Sequence, residues 1–343
     1  MTAPHRPDDR AATGSEPDDD RFPELLTRPP ARTDTALAAH IDEKVAHQAL
    51  AAGFDTHRAR ALASARFGHL AVMVFPNCDD VAQLTAAACW MSAIAAVDDV
   101  CDDEDAAGVP AHAGAYLTLA LAALDPAHLT EPHESGLRRE LGRRPYLRHL
   151  GASFTLLGRH ATPGQLARIR AETTTVFTAQ QAPISWRTAG IRPPVWEFLA
   201  ARQADGFGPA LALTDLMGGY ELGPGHYEHP GVRRALRLAN LAMVIVNDLY
   251  SQGKDAPGAV TLPALIAHER GYSRAEAISA ACRAHNTAVR EFDEACRTLR
   301  TALPDLMVAR FLDGLRAWIA GARAWHAFSA RYPLPRQASA TGA

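Results

Sequence analysis

The sequence predicts an all-α fold, a single bundle of ten or more helices, on three observations. No run alternates apolar and polar residues with a period of two between turns, so no sheet is expected. Helix breakers partition the chain instead, at Pro163-Gly164, Pro193-Pro194, Gly218-Gly219, Gly223-Pro224-Gly225, Pro257-Gly258 and Pro304. Many of the segments between them are rich in Ala and Leu on more than one side, as the buried helices of a large bundle are. At 343 residues and 48% hydrophobic, the chain can bury one large core.

Residues 1–30 read as a disordered or extended N-terminal arm. The stretch from 1 to about 22 has almost no aliphatics and cannot bury enough area to fold. Phe22-Pro23-Glu24-Leu25-Leu26 and Pro29-Pro30 can dock in extended form. The helical domain then covers 31–333, and 334–343 form a disordered tail. Thr33-Asp34 can cap a helix through about Ala52, ended by Gly53. Asp55 can cap the next, over 56–74, stopped before Pro76. Asp79-Asp80 start the helix that carries Trp90, and 110–126 are Ala/Leu-rich and helical. Residues 127–146 are polar, and Arg138-Arg139 and Arg143-Arg144 read as a solvated face. Helices follow near 147–158, 164–183, 193–217, 229–254, 260–269, 273–299 and 301–331.

Charge and cysteines exclude several classes. The net charge is −3, from 38 acidic and 35 basic residues, so no basic field points to nucleic acid. Five cysteines without CxxC spacing argue against a disulfide framework or a zinc site and for a reducing, cytoplasmic setting. The N-terminus lacks the basic and apolar regions of a secretory signal. No uncharged apolar stretch reaches about 18 residues, so no membrane span is expected.

Chemistry concentrates at the ends of two apolar helices. Ala86 to Ala96 run directly into Val97-Asp98-Asp99-Val100-Cys101-Asp102-Asp103-Glu104-Asp105. Carboxylates at helical spacing repel one another, and divalent cations can neutralise them. Asp98 and Asp102 are i, i+4 partners, as are Asp99 and Asp103; either Asp102 or Asp103 can complete a metal site with Asp98 and Asp99. Glu104 and Asp105 read as lid or loop charge. Far along the chain, Ala239 to Val246 are largely apolar and then give way to Asn247-Asp248-Leu249-Tyr250-Ser251-Gln252-Gly253-Lys254-Asp255. Asn247, Ser251 and Asp255, four residues apart, drift only about 40° per step and share one helix face. Amide, hydroxyl and carboxylate oxygens suit Mg²⁺, and Lys254 beside them can meet an anion. Two such sites over an apolar cavity can hold a diphosphate through Mg²⁺ while its hydrocarbon lies below. Departure of the diphosphate then leaves an allylic cation in a dry pocket. The wall between Trp90 and Ala96 would lie beside that cation.

These residues resemble the class I terpene synthases (terpene cyclases) of bacteria. Asp98-Asp99-Val100-Cys101-Asp102 is similar to the family's DDxxD motif, and Asn247 to Asp255 to its NDxxSxxx(D/E) motif, with Asp255 where Glu is usual. Arg202, Asp205 and Gly206 resemble the family's diphosphate-sensing Arg, acidic linker and effector residue at a helix break. Arg331-Tyr332 resembles its C-terminal Arg-Tyr pair, and Trp325 a family aromatic. The resemblance implies a class I terpenoid synthase bundle using three Mg²⁺ ions, with Mn²⁺ as a substitute. It implies Asp98, Asp99, Asp102 or Asp103, Asn247, Ser251 and Asp255 as metal ligands. Arg202, Lys254, Arg331 and Tyr332 would hold a prenyl diphosphate, and Trp325 and Phe207 are candidate pocket aromatics. Homodimers are common in the family.

The likeness is closer still to the branch of 2-methylisoborneol and 2-methylenebornane synthases, which cyclise 2-methylgeranyl diphosphate. It rests on Pro194 to Gln203, Leu213 to Leu222, Asn247 to Ser251 and His285-Asn286. A 2-methylgeranyl or geranyl diphosphate is therefore the favoured substrate, with farnesyl or geranylgeranyl diphosphate as alternatives. A chain-elongating prenyltransferase would carry a second Asp-rich motif. A phosphohydrolase would need a base beside the acidic run, where only His112 is near in sequence. An inactive isoprenoid-binding homologue would have no need of the intact aspartates and arginines.

Overall fold

The protein, described here from a computed structural model, is defined over residues 21–102, 110–125, 127–252 and 260–332. Local sequence signals set most helix starts. Asp34 accepts a hydrogen bond from Leu37 N–H and opens α1 (Thr35–Ala51), and Asp55 does the same from Arg58 N–H for α2 (Thr56–Ser64). α3 (Phe67–Val74) follows, then α4 (Val81–Asp102), whose first turn is capped by Asp80, and α5 (Pro110–Leu124). α6 (His133–Arg143) has no buried residue, as a solvated face requires. α7 (Pro145–Leu157) precedes α8 (Pro163–Ala179), which starts in a Thr162/Gln165 capping box. Next come α9 (Gln181–Ala189), α10 (Val195–Ala204), and the short α11 (Gly208–Leu211), α12 (Thr214–Met217) and α13 (Pro224–Tyr227). α14 (Pro230–Ser251), α15 (Leu262–Arg270), α16 (Arg274–Ala302) and α17 (Leu306–Phe328) complete the bundle. Ser273/Glu276 forms a second capping box, and Asp305 caps α17 through Met307 N–H and Val308 N–H. The described residues contain no strand.

Three expected helices are broken. The 56–74 helix is interrupted where Arg66 turns left-handed (φ 59°). The turn brings Gly68 N–H to Asp42 Oδ1 at 2.6 Å and His69 Nδ1 to Asp42 Oδ2 at 2.7 Å. A Cβ on Gly68 would lie 2.4 Å from the Ala38 carbonyl, so only glycine permits that approach. The 164–183 helix is divided at Gln180. The 193–217 helix opens at Asp205-Gly206-Phe207, which becomes part of the site described below. Past Ala302, Pro304 moves the start of the last helix to Leu306.

α4 packs on α1, α3 and α7, while α14 packs on α10, α15, α16 and α17. Trp90 of α4 is fully buried and donates to the Pro209 carbonyl at 3.2 Å. By length and composition alone Val81–Cys101 is apolar enough to cross a membrane, but 78% of its apolar window is buried in the bundle, as in a core helix. All five cysteines are buried and free. Arg21 to Pro30 run non-helically from the ends of α14 and α17 along α16, where they bond Ser279, Asn286 and Asp293, with Leu25 buried. The expected disorder of residues 1–20 and 334–343 concerns segments outside the described residues.

Candidate active site

α4 and α14 both reach the same cavity as they turn from apolar to polar. Met91, Ile94 and Ala95 of α4 and Val244 of α14 line its wall, and Asp98 and Asn247 stand at its mouth. Asp98 Oδ1 accepts from Gln180 Nε2 at 2.9 Å. Asp99 Oδ2 accepts from Arg331 NH1 at 2.6 Å, and Arg331 NH2 lies 3.6 Å from Asp98 Oδ2. One guanidinium therefore offsets the repulsion between adjacent carboxylates. The side chain of Asp102, and Asp103, Lys254 and Asp255 entirely, lie outside the described residues.

On α14, Asn247 and Asp248 face Arg202, and Ser251 lines the same recess. Its NH2 donates to Asn247 Oδ1 (3.0 Å) and Asp248 Oδ1 (2.9 Å), and its NH1 to the Asp205 carbonyl (2.7 Å) and carboxylate (3.2 Å). Burial opposes the charge on Arg202, but Asp248 and Asp205 outweigh it and raise its pKa. Arg331 behaves likewise, with Asp99 and Tyr332 overcoming burial. Both guanidiniums stay charged in a site that water reaches poorly. Asp248 also accepts from Leu262 N–H, so it ties Arg202 to the start of α15.

The break after α10 is held by Asn240, a buried amide inside the apolar stretch of α14. Its Oδ1 accepts from Phe207 N–H at 2.7 Å, and its Nδ2 donates to the Gln203 carbonyl at 2.9 Å. Those bonds satisfy backbone groups that the interrupted helix leaves open. They also aim the Asp205 carbonyl at Arg202 and leave Phe207 on the cavity wall.

Arg331 and Tyr332 connect the two halves. Arg331 reaches the α4 carboxylates, while Tyr332 Oη accepts from Asn247 Nδ2 at 2.9 Å. His326 also accepts from that amide nitrogen, at 3.2 Å. Burial, opposed by the bond to the Ala322 carbonyl and aided by nearby Arg331, Arg323 and Arg21, brings the His326 pKa down to about 3, so the ring is neutral. Trp325 lines the cavity but is anchored, its Nε1–H donating to the Ala65 carbonyl at 2.7 Å. The arm closes over this corner. Arg21 donates to the carbonyls of His326, Ala327 and Tyr332, and stacks 4.3 Å above Tyr250.

The cavity encloses about 750 Å³ including its opening, with an apolar floor and polar groups confined to the mouth. A second, more polar recess continues outward from the same mouth past Arg187, Asp248 and Ser251. Among the described residues no three His, Cys, Asp or Glu converge. The oxygens come instead as carboxylates from α4 and as the Asn247 amide and Ser251 hydroxyl from α14. This hard-oxygen set fits Mg²⁺.

Asp98, Asp99, Arg202, Asp205, Gly206, Phe207, Asn247, Ser251, Trp325, Arg331 and Tyr332 thus share one cavity and its mouth. Sequence reasoning missed Gln180, Asn240, His326 and Arg21. Asn240 carried a signal, a lone amide within an apolar run. Gln180 and Arg21 carried none, because their partners are remote in sequence.

Residues 89–291 match a family model described as terpene synthase family 2, C-terminal metal binding. The 2-methylisoborneol synthase of Streptomyces ambofaciens is 36% identical over 272 residues, covering 78% of this chain and 62% of that protein's length. That of Saccharopolyspora erythraea is 35% identical over 262 residues, covering 75% and 74%. The crystal structure of 2-methylisoborneol synthase from Streptomyces coelicolor A3(2), in complex with Mg²⁺ and 2-fluoroneryl diphosphate, matches with a TM-score of 0.86 at 30% identity. It covers 92% of this chain and 98% of that one.

Proposed function

This chain belongs to the terpene synthase family, and from that premise we propose that it ionises an allylic prenyl diphosphate, cyclises the cation and releases diphosphate. The favoured substrates are 2-methylgeranyl and geranyl diphosphate, in keeping with the 2-methylisoborneol synthases among its relatives. The observation that carries the reading is the Arg331-Tyr332 pair, which links the α4 carboxylates to Asn247 across the mouth of an apolar cavity.

In this reading Asp98, Asp99 and Asp102 or Asp103 hold Mg²⁺ from one side, and Asn247, Ser251 and Asp255 from the other, with three ions in all and Mn²⁺ as a substitute. When bound, the ions act as Lewis acids on the departing diphosphate. Arg202 and Arg331 present planar donor pairs that match phosphate oxygens, with Tyr332 and Lys254 adding a hydroxyl and an ammonium. Arg202 exchanges part of its bonding to Asp205 for phosphate, so binding at the mouth is felt at Gly206 and Phe207. The apolar floor keeps water from the cation, and Phe207 and Trp325 supply aromatic walls. Residues 31–333 form the catalytic unit, a homodimer is the assembly to look for by sedimentation, and the buried free thiols suit a reducing cytoplasm.

The test is product analysis by mass spectrometry after incubation with Mg²⁺ and geranyl, 2-methylgeranyl, farnesyl or geranylgeranyl diphosphate, with a chelator as control. A cyclic product from one of the shorter substrates, lost on chelation, is expected. Release of only the linear alcohol would mark a phosphohydrolase, and no release from any of the four would remove the reading. Phe207→Leu should change product ratios more than the rate of diphosphate release, because the side chain lines the wall without bonding to the clamp; unchanged ratios would show that it does not contact the cation. Trp325 is a poorer probe. Its buried ring and its bond to Ala65 make truncation cost about 3–5 kcal/mol of stability.

A further inference from the structure

The side-chain amide of Asn247 has two ends of similar shape and opposite chemistry, and only the oxygen can face a hard cation. Among the described residues three groups bond it: Arg202, Tyr332 and His326. Arg202 NH2 donates to Oδ1 at 3.0 Å. The Tyr332 hydroxyl, 2.9 Å from Nδ2, can donate or accept and so tolerates either orientation of the amide. His326 cannot. Its Nδ1 lies 2.7 Å from the Ala322 carbonyl, which can only accept, so the proton sits on Nδ1 and Nε2 presents a lone pair. That lone pair lies 3.2 Å from Asn247 Nδ2. Turning the amide over would set Oδ1 against the Nε2 lone pair and an NH₂ against the Arg202 guanidinium, two repulsive contacts in a buried site.

The ring itself has no room to adjust. His326 is fully buried, with Tyr332 at 4.5 Å and Trp325 at 4.9 Å between ring centroids. Its own backbone carbonyl accepts from Arg21. We propose that His326 is a positioning residue, which turns the Asn247 oxygen toward the diphosphate mouth and holds it there before any metal or substrate arrives. It takes no part in bond making. The proposal rests on the function inferred above, since it gives the oriented oxygen its use.

The full-length protein is titrated with Mg²⁺ at fixed inorganic pyrophosphate while its melting temperature is followed, and kcat and KM are measured in parallel on the best prenyl diphosphate. H326F keeps a buried ring and removes the acceptor. It should need about tenfold more Mg²⁺ for half-maximal stabilisation, the scale seen when the partner of a metal ligand is lost, with kcat falling more than KM changes. H326Q can accept from Asn247 through Oε1 and donate to Ala322 through Nε2, so it should return to within about threefold of wild type. Should H326F not fold, H326N, too short to reach Asn247, takes its place. An unchanged Mg²⁺ midpoint in H326F overturns the proposal, even if its metal-free melting temperature drops, because that pattern marks a purely structural histidine. So does an H326Q as impaired as H326F. A wild-type protein that ignores Mg²⁺ and pyrophosphate would overturn the function itself and this inference with it.

Discussion

Replacing Asn247 with alanine is expected to slow diphosphate release by on the order of 10²–10³-fold, the range typical for removing one group that stabilises developing charge. The amide stands where α14 turns polar, and it is the point at which three site residues meet. Arg202 donates to its oxygen, and its nitrogen donates to Tyr332 and His326. The substitution therefore removes a candidate ligand and also loosens the Arg331-Tyr332 segment that links the two helix ends. Asp98→Ala should show a comparable loss for half the reason. It removes a carboxylate at the mouth and frees Gln180 Nε2, but it also relieves repulsion with Asp99. Folding should survive both changes, with a cost of about 1–2 kcal/mol at Asn247 from the lost hydrogen bonds. Single-turnover rates beside thermal melts check this. A variant that keeps most of its turnover would take its residue out of the clamp.

Gly206→Ala should be nearly as damaging to activity although it adds only a methyl group. Gly206 has no positive φ, so its constraint is space. A Cβ there would lie 2.7 Å from Asn240 Oδ1, 2.8 Å from Asn240 Nδ2 and 2.9 Å from Val244 Cγ1. Asn240 cannot retreat without giving up its bonds to Phe207 N–H and the Gln203 carbonyl. The break must move instead, carrying with it the Asp205 carbonyl that orients Arg202 and the Phe207 side chain on the wall. Displacement of such groups by about 1 Å costs roughly 10²-fold in rate, and overpacking costs about 1–3 kcal/mol in stability. Steady-state kinetics and a thermal melt separate the two effects. If G206A loses stability while keeping its rate, the break serves folding and not the reaction.

Asn247 and Gly206 differ in how much of their role is written in the residues beside them. Asn247 was visible from its neighbours alone, because helical periodicity puts Asn247 and Ser251 on one stripe whatever the rest of the fold does. Gly206 was visible only as part of a spacing from Arg202. What makes it necessary is Asn240, on another helix and inside a run that reads as plain core. The helix expected over 193–217 breaks where local and remote causes meet. Gly206, Gly208 and Pro209 weaken it locally, since Pro209 cannot donate to the Asp205 carbonyl, and a side chain from α14 satisfies the backbone groups that the break exposes. The helix expected over 56–74 was interrupted at Arg66 by Asp42 in the same way.

By itself, then, the sequence determined the all-α class, most helix starts and the oxygen-rich ends of α4 and α14, since each follows from contacts within a few residues along the chain. Only the tertiary structure decided which charge offsets which and which end of an amide faces the cavity. Arg331 on Asp99, Arg202 on Asp248 and Asn247, His326 on Asn247 and Arg21 on the last turn of α17 join residues tens to hundreds of positions apart. Such pairings depend on where helices come to lie after their apolar faces are buried, and no local pattern carries that information.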